Sequence, residues 1–353
     1  TCFFVSGYPP MIGLPPVADL DDLLNQVKQR IEQNLPLVAM SGPPLMHGTG
    51  CWLGMMAPHM LGGTAVLLEN RGLDAAELWD TVGREQVQHL IIVGDAFARP
   101  MLRELQTRND LPSLQCLRLM ISSGAMFSAE IKAGLFERLP KLAIADVLGS
   151  TEGGMGQSIT TKDTPPAETA RFMLSPTTKV FSEDGREILP GSDEIGRVAS
   201  GGLVPLGYYK DEEKSALTFR EVNGVRYAFP GDMAKVGADG SLELLGRGSN
   251  CINTGGEKVF PEEVEEALKR HDAIEDALVF GLPDERFGQR VVAVAAFTPH
   301  KNAAVGEVLG DLQTRLAGYK VPREFVMVDT VPRAPKGKAD SPRAAPALQA
   351  AQE

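Results

Sequence analysis

At 353 residues, 43% hydrophobic and 23% charged, the chain has the composition of a globular protein able to bury two cores, one large and one small. A net charge of -11 without a local basic patch excludes nucleic acid as an expected partner, and no apolar run is long enough to span a bilayer. The four cysteines, Cys2, Cys51, Cys116 and Cys251, lack paired spacing, which argues against a zinc site or disulfide framework and for a reducing, cytoplasmic setting. The first residue is Thr1 rather than Met, so a longer parent protein is expected.

Asp19 is a good N-cap, and Leu20, Leu23, Leu24, Val27 and Ile31 follow at helical spacing, predicting a helix over 20–31. An apolar run at 37–40 leads into the turn-rich SGPPLMHGTG at 41–50. A regular alternation begins beyond it. Helices are predicted at 75–84, 99–106 and 129–139, the last capped by Ser128, each ahead of an apolar strand at 90–93, 117–121 and 143–148. Such crossover units imply a parallel sheet covered by helices on both faces. Ligands bind these sheets at the carboxyl ends of strands, where the chain carries two small-residue loops, SSGA at 122–125 and GSTEGG at 149–154.

After Thr160 the texture changes to short strands at 178–181, 195–199 and 227–229, with turns at Asp184-Gly185 and Asn223-Gly224. This small all-β part ends in a hairpin whose strands, 235–236 and 242–245, flank Asp239-Gly240. Past Arg247 the pattern is α+β, with helices at 262–269 and 305–316 and strands at 277–280, 291–297 and 324–328. The expected fold is α/β, with parallel sheet layers and helices plus a small β subdomain, followed by a small α+β domain. Its expected boundaries are 1–246 (α/β to about 165, β-rich over 166–246), 247–340, and an Ala/Pro-rich tail at 341–353.

The chemistry-bearing residues are concentrated at 230–268, where Asp232, Arg247 and two glycine-rich turns, at 246–249 and 253–256, precede a helix. A nucleotide platform beside a hinge and a plain surface hairpin account for these features about equally well. Taken alone, GSTEGG is a loop with a solvated Glu152, the turn around Gly124 a strand-to-helix connection, His47 a structural donor and Lys338 a terminal basic residue.

Together, however, these motifs resemble the adenylate-forming superfamily of acyl-CoA synthetases, peptide-synthetase adenylation domains and luciferases. Residues 227–232 are similar to its Y-x-x-G-D ribose motif with one extra residue, Gly246-Arg247 to the G-R before its interdomain hinge, and 255–265 to its G-G-E helix start. The run from Asp146 to Glu152 resembles N-x-Y-G-x-T-E, with Asp146 in place of Asn and Leu148 in place of the aromatic that stacks on adenine. PLMHGTG around His47 resembles the motif at the acyl pocket. PRAPKGK at 332–338 resembles the motif of the adenylation lysine, which falls on Lys338 rather than Lys336, and GYKVPR at 318–323 is another family signature.

The resemblance implies a synthetase similar to bacterial fatty-acid or steroid-side-chain CoA ligases, using a small carboxylic acid, ATP and coenzyme A, with Mg²⁺ and an AMP-bound intermediate. It assigns catalysis to Lys338, Thr151 and Glu152, magnesium to Glu152, the acyl pocket to His47 and CoA to Gly255 and Gly256. It assigns the nucleotide to Gly124, Ala125, Asp146, Leu148, Gly149, Ser150, Thr151, Asp232, Arg247 and Lys338, with the small domain rotating about 247–249. Two features depart: the family's early phosphate loop ending P-K-G does not occur in the chain, and Ser249 stands where a charged residue is usual. An acyl-AMP ligase that loads a carrier protein, a nucleotide-binding remnant without catalysis, and a homodimer all stay open.

Overall fold

The computed structural model describes residues 8–10, 12–35, 37–70, 72–164, 171–299 and 301–332. Two compact units divide the chain: Thr1–Asp193, Val198–Pro230 and Val236–Glu243 form the first, and Glu194–Arg197, Gly231–Lys235 and Leu244–Glu353 the second. Among the described residues no helix is long and apolar enough to cross a membrane.

The short apolar runs of the first unit become Val38–Ser41 (β1), Thr64–Leu67 (β2), His89–Ile92 (β3), Leu119–Ser123 (β4) and Ala143–Ser150 (β5). They lie parallel in the order β2-β1-β3-β4-β5. Successive side chains of a strand point to opposite faces, so Leu90 and Ile92 enter one apolar cluster and Ile91 another. Both faces are covered, which is why these strands read as unbroken apolar runs. The helices are Leu20–Glu32 (α1), Ala75–Arg84 (α2), Gly94–Thr107 (α3) and Ala129–Arg138 (α4). Leu78, Trp79, Met101 and Leu135 join the first cluster, and Leu23 the second.

Local polar chemistry fixes the helix ends. The Asp19 carboxylate accepts from Asp22 N and the Asp74 carboxylate from Ala76 N and Glu77 N, capping α1 and α2. Ser128 stands at the expected N-cap of α4, but its hydroxyl makes no capping bond and donates instead to Asp95 Oδ1 (3.1 Å), joining α4 to α3. Helix α3 starts at Gly94, ahead of the expected 99, where Gly94 N donates to Ser122 Oγ at 2.9 Å.

The expected loop at 149–154 is mostly strand. Gly153–Thr160 (β6) folds back antiparallel on β5, leaving only Thr151 and Glu152 as the turn, and Arg171–Leu174 (β7) pairs with β6. Beyond it come Thr178–Phe181 (β8), Gly196–Ser200 (β9), Phe219–Val222 (β10) and Val225–Ala228 (β11). Asn223 and Gly224, both at positive φ (52° and 77°), turn β10 into β11 as their sequence predicts. The all-β expectation for this part needs one correction, since Glu212–Thr218 forms a helix (α5). Asp211 caps it by accepting from Lys214 N, and Glu212 and Glu213 follow in its first turn.

Asp232–Val236 (β12) and Ser241–Arg247 (β13) lead into the second unit's five-stranded sheet, built from Ile252–Thr254 (β14), Glu257–Val259 (β15), Ile274–Asp284 (β16), Gly288–Phe297 (β17) and Glu324–Met327 (β18). Its order is β15-β14-β17-β16, with β18 parallel to β17. Pro261–Lys269 (α6) and Val305–Arg315 (α7) bring Val264, Leu268, Val308 and Leu312 onto Val279, Ala293 and Ala295. Lys336, Lys338 and the tail at 341–353 lie outside the described residues.

Candidate active site

Strands β4 and β5 are parallel neighbours with Ser123 opposite Val147, so the segments after Ser123 and Ser150 both follow carboxyl ends of strands, with β5 running three residues further. Gly124 turns the chain there at φ +92°, and a Cβ on it would lie 3.3 Å from His47 Cε1. The loop carrying His47 is bound to the end of β4 through Thr49, whose Oγ1 donates to Ser123 O at 3.3 Å. Thr49 N donates to His47 Nδ1 at 3.2 Å, an acceptor role that leaves the proton of a neutral imidazole on Nε2. From here the chain enters an eight-residue π-helix, Thr49–Met56, which has no counterpart among the predicted elements. Such turns are rare and occur often at functional sites. Gly54 lets it press on β1, because a Cβ there would stand 2.6 Å from Ser41 Cβ.

The β5–β6 turn presents Thr151 exposed and Glu152 half-buried. The Tyr208 hydroxyl donates to Glu152 Oε1 across 56 residues of sequence. Three residues before Thr151, Leu148 is buried. Asp146 Oδ2 lies 2.6 Å from Lys132 Nζ on α4, with the two side chains 14% and 8% exposed. Burial pushes the Asp146 carboxyl up toward its neutral form, and the Lys132 ammonium opposes that shift. A pocket lined by Ser123, Ala125, Met126, Lys132, Asp146 and Arg171 opens beside this ion pair. Lys132 and Tyr208 escaped the sequence reading. The available signals were a lysine inside the apolar stripe of Ile131, Leu135 and Phe136, and a second aromatic beside Tyr209.

In the second unit Asp232 is buried on β12, with Arg247 Nε 3.8 Å from its Oδ1. The expected hinge at 247–249 has regular local structure. Residues Gly248–Asn250 form a 3₁₀ turn, and Gly248 N donates to Gly231 O at 2.9 Å. A Cβ on Gly246 would fall 2.3 Å from Glu262 Oε2, so a carboxylate from α6 fills that space. Burial holds the Glu262 carboxyl above its usual range. Gly255 and Gly256 make the β14–β15 turn, with Gly255 N donating to Phe287 O at 2.8 Å.

Among the described residues no group of three or more His, Cys, Asp or Glu could hold a metal ion. Glu152 offers one carboxylate oriented by Tyr208. That donor set fits magnesium, which keeps several waters and takes further ligands from a substrate's phosphates.

Comparison with known proteins gives this arrangement a context. Residues 19–209 match the AMP-binding enzyme family and residues 263–338 the AMP-binding enzyme C-terminal domain. The chain is 44% identical over 311 residues to a medium/long-chain-fatty-acid–CoA/3-oxocholest-4-en-26-oate–CoA ligase of Mycobacterium marinum, covering 87% of this chain and 55% of that protein. It is 42% identical over 320 residues to a 3-oxocholest-4-en-26-oate–CoA ligase of Rhodococcus rhodochrous, covering 89% and 57%. A benzoate CoA ligase from Burkholderia xenovorans LB400 shares the fold, with a TM-score of 0.73 at 21% identity over 91% of this chain and 65% of that one. The chain thus spans 55–57% of the length of these two curated relatives. The match over residues 19–209, with relatives 42–44% identical over 87–89% of the chain, places the chain in the AMP-binding enzyme family.

Proposed function

We propose that the protein carrying this chain is an ATP-dependent acid–thiol ligase acting on fatty or steroid-side-chain carboxylic acids. The carboxylate attacks the α-phosphorus of ATP to give acyl-AMP and pyrophosphate, and the CoA thiol then displaces AMP. The observation that carries this reading is that the His47 loop packs on the Ser123–Gly124 turn at the carboxyl end of β4, next to β5, whose own end carries Thr151 and Glu152. The substrate class follows the relatives in Mycobacterium marinum and Rhodococcus rhodochrous, whose names specify medium- or long-chain fatty acids and 3-oxocholest-4-en-26-oate.

Each residue has a distinct task in this reading. Thr151 is exposed at the turn, where its hydroxyl can donate to an α-phosphate oxygen. Glu152 would hold magnesium, which when bound supplies positive charge beside the phosphates. Asp232 would accept from the ribose hydroxyls, with Arg247 beside it. The small backbone of Gly124–Ala125 would allow a flat base to approach, with Asp146 offering it a polar contact and Leu148 an apolar one. His47 lines the acyl side as a neutral donor through Nε2 and not as a base. Lys338 neutralises charge building during adenylation, and a rotation of 247–340 about 247–249 exchanges it for the Gly255–Gly256 turn beside CoA.

The test uses a protein carrying this chain at the full length of its relatives. Pyrophosphate release on adding ATP with medium-chain, long-chain or steroid acids is expected, followed by a thioester when CoA is added. Transfer to a carrier-protein pantetheine with none to CoA would make it a loader. Binding of AMP without pyrophosphate release from any of these acids would overturn the enzymatic reading.

A further inference from the structure

Tyr208 lies on the connection between β9 and α5, far in sequence from the β5–β6 turn, yet its hydroxyl donates to Glu152 Oε1. The side chain is held from several directions. Its ring centroid is 5.2 Å from that of Phe219, and Lys214 Nζ stands 4.5 Å from the ring centroid. Its backbone N donates to Ser215 Oγ at 2.7 Å, and that hydroxyl donates to Asp211 O at 2.6 Å. Helix α5 therefore acts as a mount that aims one phenol at one carboxylate oxygen. Neighbouring Tyr209 is 89% exposed and contacts Lys210, the residue beside it.

A glutamate at a two-residue turn has rotamer freedom, and fixing such a side chain costs conformational entropy. A donor already seated on one oxygen meets that cost in advance and leaves the other oxygen in a set direction. Where a carboxylate binds a metal, partners of this kind typically alter affinity by about 10–100-fold. We propose that Tyr208 is a positioning residue that orients Glu152 to receive a nucleotide-borne divalent cation. This inference rests on the reading of Glu152 as the magnesium ligand.

Tyr208→Phe removes the hydroxyl and keeps the ring against Phe219 and Lys214. Calorimetry would measure ATP affinity in EDTA and again with Mn²⁺, together with the thermal midpoint of each protein. The expected result is unchanged ATP affinity in EDTA, and a gain from Mn²⁺ that falls about tenfold or more. Tyr209→Phe should change neither quantity. If Tyr208→Phe lowers both affinities by one factor, or moves only the thermal midpoint, the hydroxyl is structural and the proposal fails. A Glu152→Gln variant separates the two readings: if it keeps the full Mn²⁺ gain, Glu152 is not the metal ligand.

Discussion

Lys132 brings a cation into the interior of the first unit, and Asp146 alone among the described carboxylates bonds to it, at 2.6 Å. Removing one partner of a buried pair leaves the other charge uncompensated, at a cost of about 3–5 kcal/mol. Lys132→Met should therefore lower stability at pH 7 by about 3 kcal/mol, the lower end because Asp146, already raised by burial, can take up a proton. The deficit should shrink as pH falls toward 5, and urea denaturation at both values checks it. His89 has the opposite sensitivity. Buried at the start of β3, with Tyr8 Oη 3.2 Å from its Nδ1, it is pushed by burial from 6.5 to about 4, with nearby Arg30 adding to the effect. Above pH 6.5 both folded and unfolded states are neutral there, and nothing is lost. Between 6.5 and 4 the unfolded chain binds a proton that the folded one refuses, so stability falls with pH, by about 3 kcal/mol at about 1.4 kcal/mol per pH unit. His89→Gln should flatten that part of the curve, and parallel curves for the two proteins would remove His89 as its cause.

The π-helix Thr49–Met56 depends on the absence of side chains where it meets β1. Gly54→Ala would put a methyl 2.6 Å from Ser41 Cβ, with backbone close behind. The expected loss is about 1–3 kcal/mol, read as a lower urea midpoint at unchanged slope. Gly310→Ala in α7 is the matched control, because nothing lies within 4 Å of the new methyl. There the better helix propensity should raise stability by about 0.5–1 kcal/mol. Elements whose pattern rests on apolar periodicity or caps, such as α1, α2 and β3, were legible in the sequence. The π-helix, β6 and α5 were not: glycines interrupt the first two, and α5 is short, with only Thr218 buried.

At the level of the molecule, the proposed reaction predicts that its two halves can be separated through Lys338. If that lysine acts in adenylation alone, Lys338→Ala in a full-length protein should slow acyl-AMP formation roughly 10²-fold or more. Supplied with synthetic acyl-AMP and CoA, the same variant should make thioester at a near-normal rate, while Lys336→Ala leaves both steps intact. Equal loss in both halves for Lys338→Ala, followed by pyrophosphate release and thioester yield, would place the lysine elsewhere in the cycle. Both lysines fall within the C-terminal family match at 263–338, outside the described residues.

The sequence alone determined the class of fold and the family, because apolar runs between amphipathic helices can bury both faces only as a covered parallel sheet, and the motif residues are contiguous letters. Contacts between distant residues were decided by tertiary structure. Lys132 reaches Asp146 across 14 residues, Tyr208 reaches Glu152 across 56, and Glu262 fills the space beside Gly246. None of these has a spacing rule, since each depends on which helix or loop packs over which strand end. The sequence named the residues at the strand ends, and the packing decided which neighbours hold them.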